Sequence, residues 1–170
     1  MKINERFTWA LSLLKPKPLD NILEIGCGTG LFGQLICYQL TTGKYVAVDR
    51  SAAMVKLASK RADNAVKMGK ADFHVAEFKD TSLPHASFNK IVAFNVNVFF
   101  KDPKDEMNLI KACLKADGLF YLFYQHPYES NHSIVEKAKQ PLVENGFVII
   151  DAVLQKMKPF SSFCVISKPV

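Results

Sequence analysis

Residues 23–33, LEIGCGTGLFG, place four glycines within eight positions directly behind a short apolar run. Glycine at that density permits a turn so tight that bulkier side chains would clash. The preceding run, residues 21–25, is apolar except for one acid and reads as a strand. The residues that follow, about 30–40, read as a helix. A strand that passes through such a turn into a helix aims the helix's free N–H groups at whatever lies above the turn. This unit sets the frame that the remaining segments must fit.

Residues 3–14 put Ile3, Phe7, Ala10, Leu11 and Leu14 on one helical stripe, which Pro16 and Pro18 end. Residues 44–48 form a β-branched run that ends at Asp49. Ser51 is placed to cap the next helix, with Met54, Val55, Leu57 and Ala58 on its inner face. Residues 71–76 alternate like a strand, 79–87 form a polar turn, and 88–98 carry a strand centred on 91–94. A helix is predicted over 102–116 with Pro103 in its first turn, then a strand over 118–125. A helix over 133–145, interrupted by Pro141, precedes two closing strands at 147–153 and 163–167. Strands and helices that alternate in this way imply an α/β fold: a mostly parallel seven-stranded sheet with helices on both faces. The last two strands imply a C-terminal antiparallel hairpin at one edge.

A chain of 170 residues, 49% of them apolar, has the size of one domain spanning 1–170 and buries roughly 70% of its unfolded surface. No repeat or linker divides it. The longest apolar runs, 118–124 and 147–154, are far short of a membrane span, so no membrane insertion is expected. Asn4, Glu5 and Arg6 stand where an export signal would be apolar, and a cytoplasmic protein is expected. Cys27, Cys37, Cys113 and Cys164 are scattered with no C-x-x-C pair, which argues against a metal site or a redox dithiol. The net charge of +6 is almost all lysine, with arginine only at positions 6, 50 and 61 and no basic run longer than two. That pattern favours a solvated surface over a nucleic-acid footprint.

The glycines overlap in two patterns. Gly28-x-Gly30-x-x-Gly33 satisfies a dinucleotide fingerprint, whereas Gly26-x-Gly28-x-Gly30 resembles the loop that holds S-adenosylmethionine. Both expect an acid at the end of the second strand, and Asp49 lies 19 residues after Gly30. Glu24 separates them. A dinucleotide's pyrophosphate is anionic and its first strand is apolar, whereas a carboxylate suits a ligand with ammonium and sulfonium charges. An NAD-linked oxidoreductase is also expected to need a substrate domain, for which 170 residues leave little room.

The segments ILEIGCGTG (22–30), VAVDRS (46–51), HVAEFKDTSLPHASFNKIVAFNVNVFFKDP (74–103) and LKADGLFYLFYQHP (114–127) occur in one order. Together they resemble class I S-adenosylmethionine-dependent methyltransferases, of the broad group that includes the quinone-biosynthesis enzymes and small bacterial methyltransferase-domain proteins. The resemblance implies a Rossmann-like sheet, S-adenosyl-L-methionine as cofactor and S-adenosyl-L-homocysteine as product. It places Gly26, Cys27, Gly28 and Gly30 under the methionyl part, with Glu24 reaching the ammonium directly or through water. It further implies that Asp49 accepts from the ribose hydroxyls, that Arg50 or Met54 lies against the adenine, and that Glu77 accepts from the adenine amino group. The Phe78 N–H would pair with a ring nitrogen and Asn95 would offer its carbonyl to the ammonium. Gly33 then falls outside the motif. Asn89 and Ala116-Asp117-Gly118 depart from the family's usual residues.

Ligands on such sheets bind outside the carboxyl ends of the strands, which brings Asn97, Phe99, Tyr124 and His126 near a methyl acceptor. His126 is the candidate general base and Asn97 the candidate orienting amide. The N-terminal helix, within residues 1–18 and carrying Phe7 and Trp9, is the candidate cover for the cofactor. A small-molecule acceptor is expected first, an RNA or protein acceptor next, with oligomeric state open. The alternative is a non-catalytic cofactor-binding or partner domain of the same fold, and an NAD-linked oxidoreductase comes third.

Overall fold

Each segment of the alternating pattern becomes an element in a computed structural model of the chain, which describes residues 4–125 and 132–170. Helix α1 (Glu5–Leu14) is capped by Asn4, whose side chain accepts from the Arg6 N–H. Strand β1 (Ile22–Ile25) leads into α2 (Leu31–Gln39), and β2 (Tyr45–Asp49) leads into α3 (Ala52–Arg61) and the short α4 (Asp63–Lys67). Next come β3 (Ala71–Val75), β4 (Phe88–Phe94), α5 (Lys104–Cys113), β5 (Leu114–Gln125), α6 (His132–Glu144), β6 (Phe147–Gln155) and β7 (Ser162–Pro169). Single 3-10 turns lie at Phe78–Asp80 and Asn97–Phe100.

The seven strands form one sheet in the order β3-β2-β1-β4-β5-β7-β6. Strands β1 to β5 are mutually parallel, and β7 inserts antiparallel between β5 and β6. The expected C-terminal hairpin therefore forms, with its second strand on the inside. Side chains alternate across the sheet. Ile22, Tyr45, Val92 and Phe123 meet α1 and α2 on one face, while Leu23, Ile91, Phe120 and Leu122 meet α5 and α6 on the other. Burial on both faces explains why β1 and β4 are mostly apolar, broken only by Glu24 in β1 and by Asn89 and Lys90 in β4.

Three expectations need correction. The helix predicted over 102–116 starts after Pro103, which takes the cap position, and ends at Cys113. Leu114 already pairs with Phe88, and the register then jumps to Lys90 opposite Leu119. Residues 115–118 bulge out of the ladder, which hides the strand's start from a periodicity argument. A Cβ on Gly118 would lie 2.9 Å from the Phe88 carbonyl oxygen, so one glycine has to survive in that turn. Second, Leu57 is exposed rather than inward, and Val55 and Ala58 carry the contact. Third, α6 runs through Pro141 to Glu144, although proline supplies no N–H to the carbonyl four residues before it.

The amino end of the sheet is held by polar groups. Lys90, in the middle strand, is buried and donates to Asp20 and to the Lys15 carbonyl at 2.8 Å, which ties the end of α1 to the sheet. Asn89, one of the departures noted above, accepts from the Asn21 N–H at 2.9 Å and from Lys115 at 3.0 Å. Among the described residues no helix is long and apolar enough to cross a membrane.

Candidate functional site

The first glycine of the loop, Gly26, lines a cleft at the carboxyl ends of β1, β2, β3 and β4. Gly26, Gly28 and Gly30 all adopt positive φ, at 71°, 50° and 76°. Gly28 faces open space on its side-chain side and Gly30 starts α2. Asp49, the last residue of β2, accepts from the Gly28 N–H and from the Ser51 N–H, each at 2.9 Å. Its carboxylate thus joins the loop to the cap of α3, where Ser51 accepts from the Met54 N–H at 3.4 Å. Each Asp49 oxygen makes one of these bonds and keeps a further acceptor position.

Gly26, Asp49, Arg50, Glu77, Phe78, Asn95 and Asn97 line a single cavity of about 800 Å³, within the range of small-molecule and cofactor sites. The sequence places these residues on four separate segments, and the parallel order β3-β2-β1-β4 brings the segments side by side. Arg50 and Glu77 meet at 3.8 Å across the outer end, both largely exposed. Phe78 opens a 3-10 turn, a position whose N–H has no partner within the turn. Asn95 sits in the left-handed region at φ 57°, which asparagine tolerates better than most residues, and its side chain accepts from the Gln125 N–H at 2.8 Å. Asn97 accepts from the Tyr124 hydroxyl at 2.9 Å.

Other predicted residues lie outside that lining. Glu24 is 2% exposed and points to the α1–α2 face, where it accepts from the Tyr45 hydroxyl. Burial drives its pKa up to about 8, the Tyr45 hydrogen bond opposes the rise, and the Asp49 charge adds to it. Cys27 is buried beside it, and burial pushes both the Cys27 and Cys37 thiols up to about 12, so neither acts as a thiolate. Gly28, Gly30 and Met54 do not line the cavity either: a Cβ on Gly30 would meet Ala58 of α3, and Met54 lies in the first turn of α3. Phe99, expected near the acceptor, is instead fully buried against Phe120 at 5.3 Å. His126 lies outside the described residues. Helix α1 packs on α2; Trp9 meets the edge of Phe123, and Arg6 lies over the Phe7 ring and donates to Gln125 at 3.2 Å.

Sequence reasoning placed Gly33 outside the cofactor motif but missed Tyr45, which is why a glycine stands there. A Cβ at position 33 would stand 2.1 Å from the Tyr45 hydroxyl oxygen. Gly33 is there so that α2 can cross above a phenol that holds Glu24. That position, rather than a ligand, accounts for the second glycine pattern. The Gly28 N–H, which a phosphate-binding loop would aim at its anion, is committed to Asp49. The loop is thus poorly suited to a pyrophosphate, while the acceptors in the wall suit hydroxyl, amino and ammonium groups.

Comparison with known proteins shows the family and the fold. A family model described as a methyltransferase domain matches residues 22–118, more than half of the chain. The malonyl-[acyl-carrier protein] O-methyltransferase of Priestia megaterium is 29% identical over 123 residues, 71% of this chain and 43% of that protein. An uncharacterized methyltransferase of Bacillus subtilis, YdaC, is 27% identical over 167 residues, 94% of this chain and 89% of that protein. The chain thus spans less than half of the first relative and most of the second. A solved S-adenosylmethionine-dependent methyltransferase from Aquifex aeolicus superposes with a TM-score of 0.79 at 15% identity, over 99% of this chain and 91% of its own, and shares the fold. The chain belongs to the methyltransferase domain family, in the class I, S-adenosylmethionine-dependent group.

Proposed function

We propose that the cleft holds S-adenosylmethionine and that the chain directs its methyl group to a small-molecule acceptor. The observation that carries this reading is the gathering of Gly26, Asp49, Glu77, Phe78 and Asn95 around one cavity. Asp49 accepts from the ribose hydroxyls through its remaining lone pairs. Glu77 accepts from the adenine amino group, the Phe78 N–H donates to a ring nitrogen, and Arg50 covers the adenine by its planar guanidinium. Asn95 turns its carbonyl toward the methionyl ammonium, and Gly26, Cys27, Gly28 and Gly30 give that part room. Glu24, with Met54 behind the adenine side, acts from behind the loop.

The bound cofactor supplies an electrophilic methyl on a sulfonium. The acceptor's lone pair would bond that methyl carbon while the two electrons of the broken sulfur–carbon bond would remain on sulfur, giving S-adenosylhomocysteine. Any proton on the accepting atom leaves to water or to a nearby base, the role in which we place His126. The chain's own contribution is alignment, which supplies several kcal/mol of barrier reduction when the reacting atoms are held in line. Asn97, fixed by the Tyr124 hydroxyl, orients the acceptor beside the cleft. As the cover over the cofactor we place helix α1, although none of its residues lines the cavity.

A small acceptor agrees with the lysine-dominated, scattered charge and with a relative named for a malonyl group on an acyl-carrier protein. The test is incubation with methyl-labelled S-adenosylmethionine and separate cell fractions: metabolites, RNA and protein. Label in the metabolite fraction, lost with Asp49→Ala, is the expected result. Label confined to RNA or protein would replace the small-molecule acceptor, and cofactor binding without any transfer would make the chain a non-catalytic cofactor-binding domain.

A further inference from the structure

Beside the cofactor cleft lies a second cavity of about 500 Å³, between the turn Asn97–Phe100, the end of β5 and α6. The two are neighbours: Lys101 lines both, and the Tyr124 hydroxyl in the second cavity donates to Asn97 in the first. The back wall is apolar and aromatic. Phe100 and Tyr124 pack ring against ring at 4.6 Å, and Ile134 and Pro141 of α6 complete it. The rim carries two ammonium groups, Lys101 and Lys137, and neither has a hydrogen bond or ion pair among the described residues. The rim also carries one acid, Glu144, which accepts from Gln140 at 2.8 Å; two ammonium groups against one carboxylate leave the rim net positive. By contrast Lys139, also on α6, is paired with Glu136 at 2.6 Å.

We infer that this cavity is the acceptor site, and that it takes a small molecule with an aromatic or branched apolar body and an anionic group such as a carboxylate or phosphate. The inference rests on the reading of the neighbouring cleft as the cofactor site and adds to it the acceptor's chemical class. The apolar body lies on Phe100, Tyr124 and Ile134, and the anion meets Lys137 and Lys101 at the mouth. The accepting atom then points past Tyr124 toward Asn97 and the cofactor cleft.

The test is calorimetric titration of the intact protein, with and without saturating S-adenosylhomocysteine, using 4-phenylbutanoate, 4-phenylbutan-1-ol and 4-phenylbutan-1-amine as matched probes. The acid is expected to bind tightest and the amine weakest. Lys137→Ala should cut the affinity for the acid about threefold to fivefold, as expected for a partly exposed ion pair, and leave the alcohol unchanged. Lys137→Arg should restore the acid. Alanine is a strong helix former at an exposed position of α6, so the variant keeps its fold. Equal binding of acid and alcohol, or a Lys137→Ala protein that binds the acid as well as the parent, would overturn the inference. S-adenosylhomocysteine binding is read separately: its loss would remove the cofactor reading, while its retention with no preference for the acid would remove only the acceptor class.

Discussion

Asp49 and Glu24 are both carboxylates near the glycine loop, yet the fold gives them opposite environments. Asp49 is half-buried and accepts two backbone N–H bonds, by which it organises the loop. Asp49→Ala is expected to weaken S-adenosylmethionine binding by about 1–3 kcal/mol through lost charge-assisted hydrogen bonds, read by calorimetry on the folded variant. Glu24 is buried under α2 and holds its proton up to about pH 8. In the unfolded chain its pKa lies near 4.5, so between these values the folded state binds the extra proton. Its contribution to stability is therefore full below about 4.5 and declines as pH rises to about 8. Melting temperature measured from pH 5 to pH 9 should fall less steeply in Glu24→Gln than in the parent. An identical slope in both would show that Glu24 ionises freely in the folded chain. Gly33 belongs to the same group of atoms. Gly33→Ala drives a methyl into the Tyr45 phenol and is expected to cost about 1–3 kcal/mol in urea denaturation, as overpacked cores do.

Among the elements, the strands of the parallel core were legible because burial on both faces leaves them apolar, and Pro16, Ser51 and Gly146 mark where helices stop or start. The junction of α5 and β5 was not, because Leu114 belongs to the ladder before a four-residue bulge and periodicity there fits helix as well as strand. Lys90 was equally hidden, since a lysine inside an apolar run gives no sign that an aspartate seventy residues earlier will meet it. That pair joins β4 to the segment after α1, so it sets where the N-terminal helix lies. Removing one partner of a buried pair leaves the other charge uncompensated, and Lys90→Met is expected to destabilise the chain by about 3 kcal/mol in urea denaturation. A cost below about 1 kcal/mol, the range of surface pairs, would show that water reaches Asp20.

At the scale of the whole molecule, the cleft exists because of strand order. Residues 26, 49, 77 and 95 are spread over much of the chain, and only the sequence β3-β2-β1-β4 sets their strand ends in a row. The glycine motif, the acid after β2 and the acid after β3 could be read in advance, because each sits where a strand ends. The Glu24–Tyr45 contact could not. Register sets Glu24 opposite Ala47, so Tyr45 reaches it diagonally, and only Gly33 hinted that something large lay beneath α2. The second cavity was likewise invisible, since its walls come from a turn, a strand end and a helix that no motif links. On the proposed reading this row of strand ends holds S-adenosylmethionine. Calorimetric titration of the purified chain with S-adenosylmethionine, S-adenosylhomocysteine and NAD, side by side, tests it most directly. Saturable binding of the first two with none for NAD is the predicted result, and binding of NAD alone, or of none of the three, would contradict it.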